Sequence, residues 1–456
     1  MQSQTAASRV LANYAAALRI DDIPTDVIRL AKDCVIDTVA AAVYGGQSAA
    51  GRIIVRHVRG QAGPCHVLGS GEPPVSAEQA ALANGVLAHA LELDSLRKPG
   101  AGVHPGAVLV PAALAAVQER GGSGPALLAA IVAGCEVLFR IGRATKHSAE
   151  SRGFHAPGLT GPFGATIAAG RIYGLDAAGL AQAMGIAGSL SAGLLEFAAS
   201  GEGGMVKRLH LGRAAAAGVT AARLAEAGFT GPQTVLEGEH GFLQAYCADT
   251  DAAALTTGLG SEFETRRICF KAYACHITAH GPVYAIRTLR AQHGFTGAEV
   301  TEVEVEGTPK MAALHAERAP ADLVAAQYSI AFCAAAALLH DPEDPATFTA
   351  TLEDAGVRDL CRRVRVLGTG GFVSKWATRT RVRLHDGRMF VAETDDVPGF
   401  PAMPFDAGQR RGKFLALTSR LGPGAGTLLD RLERIEDEPD LSWLSGTVGQ
   451  KSHVEA

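Results

Sequence analysis

The chain has 456 residues, 47% hydrophobic and 19% charged, with few aromatics, 54 glycines and a formal net charge of −4. That length suits two or three domains at ~150 residues each and can bury a large core without disulfide or metal staples. The slight acidity argues against a nucleic-acid partner, so an anionic ligand has to be held by a local cationic pocket.

Met1 to Arg9 shows no basic stretch followed by an apolar core, and the longest apolar runs are broken by Gly, Glu or Arg. The expectation is a cytoplasmic protein with no membrane partner. The eight cysteines, Cys34, Cys65, Cys135, Cys247, Cys269, Cys275, Cys333 and Cys361, form no C-x-x-C pair. They read as reduced, buried thiols, and the pattern counts against a zinc ribbon or an iron–sulfur cluster.

Apolar spacing predicts helices at 27–43, 77–91, 105–119, 124–141, 161–173, 177–195 and 212–227, so the first ~265 residues read almost entirely as helix. The abundance of Ala and Gly predicts closely approaching helix backbones. The texture then changes. Alternation predicts strands at 301–306, 364–367, 378–384 and 389–393, the last two joined by a hairpin turn at His385-Asp386-Gly387-Arg388. A helix is expected at 321–339, and 405–432 returns mostly to helix. The fold class is therefore mainly α with an α+β second domain. Residues 1–266 and 400–456 form the helical domain from both chain ends, and 267–399 form an inserted α+β lid. A cleft between two such domains is a favoured ligand site.

Several segments carry chemistry-bearing residues on loops or at helix starts. His104 precedes Pro105 at a predicted helix N-terminus, where free N–H groups bind anions and the dipole favours a neutral imidazole; a plain capping histidine is the competing reading. Glu92 and Asp94 close the preceding helix, and Arg97 and Lys98 occupy the loop between, placed either to clamp a carboxylate or to face water. His155 lies in a Gly- and Pro-punctuated loop. A glycine-rich run at 201–204 leads into Lys207, Arg208 and His210. Lys271, His276 and His280 lie at the domain junction; the last two have i, i+4 spacing, but no H-E-x-x-H glutamate supports a metal site. Histidines and lysines converging from separate loops suit removal of a proton α to a carboxylate.

The ordered motifs resemble those of the MmgE/PrpD family: I-P-T-D-V (23–27), H-A-L-E-L-D (89–94), V-H-P-G-A (103–107), R-G-F-H (152–155), G-P-F-G-A (161–165), K-R-L-H-L-G-R-A-A (207–215), F-K-A-Y-A-C-H (270–276), Q-Y-S-I-A-F (327–332) and P-G-F-P-A-M-P-F-D (398–406). The resemblance implies a helical domain with an α+β lid, a homodimer, a site in the cleft and no required cofactor or metal. It places the family's catalytic positions on His104, His155, Lys207, Lys271 and His276. To these the residues themselves add Asp94, expected to orient a histidine, and Glu92, Arg97, Lys98 and Arg208, expected to bind substrate. Family members typically read H-A-x-D-F-D-D-T where this chain has Glu92 and Ser95, and a tyrosine of the decarboxylase-like members falls on Phe332. The expected activity is proton abstraction from a small di- or tricarboxylate. An epimerase or lyase acting on a substituted succinate such as iminodisuccinate is the leading expectation. The alternatives are 2-methylcitrate dehydratase-like or cis-aconitate decarboxylase-like chemistry, and a non-catalytic carboxylate-binding protein.

Overall fold

Ser48, Ser76, Ser123 and Asp176 each stand just before a helix and accept a hydrogen bond from a first-turn N–H. Through such signals the computed structural model, which describes residues 6–198, 204–372 and 374–444, lays down the helices α1 (Ala7–Ala17), α2 (Thr25–Gly45), α3 (Ala49–Val58), α4 (Ala77–His89), α5 (Pro105–Arg120), α6 (Gly124–Ala144), α7 (Ala156–Ile172), α8 (Ala177–Ser189) and α9 (Val206–Glu226).

The helices pack as the Ala/Gly content predicts. A Cβ added at Gly85 in α4 would lie 2.6 Å from the Cα of Gly212 in α9, so these two helices touch backbone to backbone. α7 packs on α5, α6 and α9 in the same body. α6 is long and apolar enough to span a membrane, but 89% of its apolar window is buried inside the protein, and it carries the fully buried Glu136–Arg140 pair. Its composition is therefore that of a core helix.

Several boundaries differ from expectation for identifiable reasons. α7 begins at Ala156, five residues early, because His155 and Pro157 provide a start and Gly158, Gly161 and Gly164 fit tight contacts with neighbouring segments. α9 likewise starts at Val206 rather than 212, and α8 stops at Ser189. The stretch from Gly228 to Arg267, expected to be helical, is mostly turns with a short α-helix, Phe242–Tyr246, and two 3-10 turns, Ala252–Leu255 and Glu264–Arg267. The expected helix at 321–339 is two helices, Leu323–Tyr328 and Ile330–Leu339, separated by Ser329. Ser329 has extended backbone (φ −79°, ψ 112°), and its side chain caps the second helix by accepting from the N–H of Phe332.

The strands are β1 (Ala62–Cys65), β2 (Leu96–Arg97), β3 (Ile268–Cys269), β4 (Val300–Gly307), β5 (Val364–Gly368), β6 (Thr378–Leu384) and β7 (Met389–Thr394). The last four form one sheet in the order β5-β4-β6-β7, with β4 and β5 parallel and the other pairs antiparallel. Alternation explains both faces. Val303, Val305 and Val382 point into the core, while Glu302, Glu304 and Glu306 on the other face meet Arg365, Arg379, Arg381 and Arg383. The helix Ile277–His293 covers β6 and β7, and the C-terminal helices Ala407–Thr418 and Gly424–Leu432 return to pack on α2. All eight cysteines are unpaired and buried.

Candidate functional site

β2 and β3 are only two residues each, yet their antiparallel pairing (Leu96 with Cys269, Arg97 with Ile268) fixes the site. It holds the segment after α4 beside the segment that begins the second domain. Between the end of α4 and β2 the chain turns through Glu92, whose φ of 58° is left-handed, a strained region for a glutamate. The turn sends the carboxylates of Glu92 and Asp94 inward, where neither has any solvent exposure.

Glu92 collects three cations. Lys207 and Arg208, in the first turn of α9, both donate to Oε1, and Lys271 donates to Oε2 at 2.7 Å. Lys207 and Arg208 lie at a helix N-terminus, where the dipole disfavours positive charge, and both are buried. Packing alone does not favour that placement, whereas anion binding does. Arg208 also donates to Gln327 Oε1 at 2.9 Å, and the Gln327 amide donates to the carbonyls of Leu91 and Ala274. Gln327 thus ties together the segments that supply Glu92, Arg208 and Lys271.

Asp94 holds two imidazoles, accepting from His89 Nδ1 at 2.8 Å and from His104 Nδ1 at 2.6 Å. His104 is the N-cap residue of α5, but its side chain makes no capping bond and turns to Asp94 instead. This leaves its Nε2 without a hydrogen-bond partner among the described residues. His155, before α7, also caps nothing with its side chain; its Nδ1 lies 2.9 Å from Nδ1 of His210. Two neutral imidazoles in such contact carry opposite tautomers, because one Nδ1 must donate and the other accept. His276 accepts from the hydroxyl and N–H of Thr278 and so caps the helix Ile277–His293. It stacks on His315, and Tyr328 lies 4.5 Å from its ring. Lys207 Nζ sits 4.9 Å from the centre of the Tyr328 ring.

Burial sets the protonation states. It pushes His89 down to about 3 and His210 and His315 to about 4, and it holds His155 and His276 well below the ordinary range, so these rings are neutral at pH 7. Burial would raise Glu92, but the charges of Lys207, Lys271 and Arg208 outweigh it and keep Glu92 ionised. Burial would raise Asp94 too, and its two imidazole partners reverse the direction. Lys207 falls from 10.5 to about 7 through burial, reinforced by Arg208 and Lys271 and opposed by Glu92.

The structure therefore brings Glu92, Asp94, His104, Lys207, Arg208 and Lys271 into one cluster, with His276 beside it through Tyr328; His155 adjoins through Phe197, which packs against both His155 and Tyr328. It does not bring in Arg97 and Lys98. Arg97 is buried against Glu264, with Nη2 2.6 Å from Oε2, and Lys98 pairs with Asp396 at 2.6 Å. Their charges are spent on joining the β2 segment to Glu264 and Asp396, which corrects the substrate-binding expectation. His280 is buried against Tyr273, away from this cluster. The glycine-rich run before Lys207 falls within 199–203, outside the described residues, except for Gly204.

The sequence analysis singles out His210 but not His89, His315, Gln327 and Tyr328, which the structure places beside these residues. His89, Gln327 and Tyr328 lay inside motifs already singled out, and Tyr328 was masked by reading 321–339 as one helix. Phe332, which stands where a tyrosine was expected, is fully buried in the core, and the phenol near Lys207 is that of Tyr328. His89, Asp94 and His104 bring donor atoms within 4.8 Å of one another, a composition that can also ligate a metal. Hydrogen bonds within the trio already engage both Asp94 oxygens and both Nδ1 atoms.

Three cations on one buried carboxylate thus lie beside an Asp–His pair where the segment after α4 meets the segment that begins the second domain. Residues 9–255 match the MmgE/PrpD N-terminal domain and residues 273–432 the MmgE/PrpD C-terminal domain, so the chain belongs to the MmgE/PrpD family. It is 30% identical over 420 residues to a cis-aconitate decarboxylase of Aspergillus terreus, covering 85% of this chain and 84% of the relative. It is 24% identical over 449 residues to the cis-aconitate decarboxylase of Mus musculus, covering 94% and 90%. A cis-aconitate decarboxylase-like protein of Aspergillus oryzae is 33% identical over 304 residues, 62% of this chain and 61% of the relative.

Proposed function

We propose that this enzyme moves a proton at the carbon next to a carboxylate of a small di- or tricarboxylic acid, without a metal ion. The observation that carries the reading is the pairing of His104 with Asp94 beside three cations gathered on a single carboxylate. In this reading His104 takes the proton at Nε2 while its Nδ1–H stays on Asp94, which stabilises the imidazolium that forms. Lys207 and Lys271 offset the charge that builds on the substrate carboxylate in a site with little water. His155 or His276 supplies the proton that closes the turnover: to the hydroxyl that leaves as water in a dehydration, to the carbon from which carbon dioxide has departed in a decarboxylation, or to the opposite face of the same carbon in an epimerisation.

The outcome is proposed to be that of a lyase, an assignment supported by the decarboxylase names of the relatives. A second reading, an epimerase of a substituted succinate such as iminodisuccinate, is favoured by Glu92, which already fills part of the cation cluster and suits a ligand with fewer carboxylates.

The test is proton NMR in deuterium oxide with chelator-treated protein and a panel of cis-aconitate, citrate, 2-methylcitrate, iminodisuccinate and substituted succinates. Loss of carbon dioxide or water from one compound supports the lyase. Deuterium entering next to a carboxylate with no net loss supports the epimerase. Carboxylates that raise the melting temperature but undergo neither change would make the protein a non-catalytic carboxylate binder and overturn the reading.

A further inference from the structure

Resting on that reading of the pocket, we infer that Glu92 sits in a carboxylate seat of the cation cluster, so that the preferred ligand is a small dicarboxylate and a third carboxylate is excluded. Both Glu92 oxygens are engaged as a bound carboxylate's would be: Lys207 and Arg208 on Oε1 and Lys271 on Oε2 at 2.7 Å. An ammonium carries three donors, so Lys207 and Lys271, each bonded once to Glu92, keep donors for a ligand, while Arg97 and Lys98 are held by Glu264 and Asp396.

The backbone points the same way. Glu92 holds φ at 58° although it is not glycine, and this turn is what carries the carboxylate into the cluster. A structural counter-ion could sit on relaxed backbone. Side-chain length matters too. An aspartate here would reach about 1.5 Å less far, one carbon–carbon bond, and would leave the cations open to a ligand's carboxylate.

Charge agrees with occupancy. Glu92 and Asp94 are both held ionised beside Lys207, Arg208 and Lys271, so much of the cluster's positive charge is offset before a ligand arrives. Each ligand carboxylate therefore adds negative charge that little in the cluster offsets, so a third carboxylate is penalised beyond the second, and it finds one seat already filled.

The test measures dissociation constants by calorimetry for succinate and propane-1,2,3-tricarboxylate, neither of which needs turnover. The proteins are wild type, Glu92→Asp and Glu92→Gln. Aspartate tolerates left-handed backbone better than glutamate, so Glu92→Asp keeps the fold if the uncharged variant does not. Wild type is expected to favour succinate, and both substitutions should shift the preference toward the tricarboxylate by about tenfold or more, about 1.4 kcal/mol in relative affinity. Glu92→Gln keeps the side chain's length and removes its charge, whereas Glu92→Asp keeps the charge and withdraws the carboxylate from the seat. A preference that shifts in Glu92→Asp supports occupancy. A ratio unchanged in Glu92→Asp and Glu92→Gln, with succinate still bound, overturns this inference and leaves the proposed function standing. Failure of wild type to bind either acid overturns both.

Discussion

Replacing Asp94 by Asn tests the proposed chemistry with little change of shape. Asp94 accepts from two Nδ1–H groups, at 2.8 Å and 2.6 Å, and both contacts are fully buried. An amide has one acceptor and one donor end, so one imidazole must turn its bare Nδ1 toward the new NH2. If that ring is His104, its hydrogen moves to Nε2, which then cannot take a substrate proton. If it is His89, His104 keeps its tautomer but loses the anion that stabilises its imidazolium. Two unit charges about 4 Å apart at an effective dielectric of 20 interact by about 4 kcal/mol, or about a thousandfold in rate. Asp94→Asn should therefore slow solvent-deuterium exchange into the substrate by about 10² to 10⁴, the range for loss of a positioned base. Exchange followed by NMR at saturating substrate, with a thermal melt to establish folding, reads this directly. A folded variant within about threefold of wild type, about 0.6 kcal/mol in barrier, would show that His104 is not the base.

Lys207 is charged below its pKa of about 7 and neutral above it, so carboxylate affinity should weaken as pH rises from 6 to 9, and Lys207→Met should flatten that dependence in a calorimetric series. Affinity that holds steady to pH 9 in wild type would remove Lys207 from binding. Arg97→Met should lower the melting temperature, by about 3 kcal/mol of lost stability for breaking a buried pair, softened by Arg143, which also holds Glu264. Its carboxylate affinity should stay unchanged, and a variant that melts normally but binds poorly would return Arg97 to the site. Gly85→Ala would force a Cβ to 2.6 Å from Gly212 Cα and 2.9 Å from Ala107 O, a cost of about 1–3 kcal/mol, visible in a scanning calorimeter as a lower melting temperature. An unshifted melt would mean α4 and α9 separate freely.

Much of this fold was legible because its causes are local. Alternating T-E-V-E-V-E and T-R-T-R-V-R-L produced β4 and β6 within a residue or two, and their charged faces pair as glutamate against arginine. The alanine- and glycine-rich helices packed as closely as their composition required. What misled was composition without periodic support: Gly228 to Arg267 holds enough alanine and leucine to look helical, yet it is punctuated by G-F-T-G-P and several further glycines and runs as turns.

The site was legible in its parts and not in its joins. Position at predicted helix starts and at the domain junction singled out Lys207, Lys271, His104 and His155, and the family resemblance then weighed them against capping or solvated charge. What decides which charges face the ligand lies in features with almost no sequence signal. The two-residue β2–β3 pairing is too short for any period to show, yet it consigns Arg97 to Glu264 and delivers Lys271 to Glu92. The left-handed turn at Glu92 cannot be read from a glutamate. The break at Ser329 had one cue, a serine placed to cap the run that follows it. Because the chain breaks there, Gln327 reaches Arg208 and Tyr328 lies against Lys207 and His276; an unbroken helix across 329 would not hold both contacts alongside the cap. A serine inside an alanine-rich apolar run is therefore better read as a candidate helix start than as filler, and here it would have pointed to the two uncharged residues that complete the cation cluster.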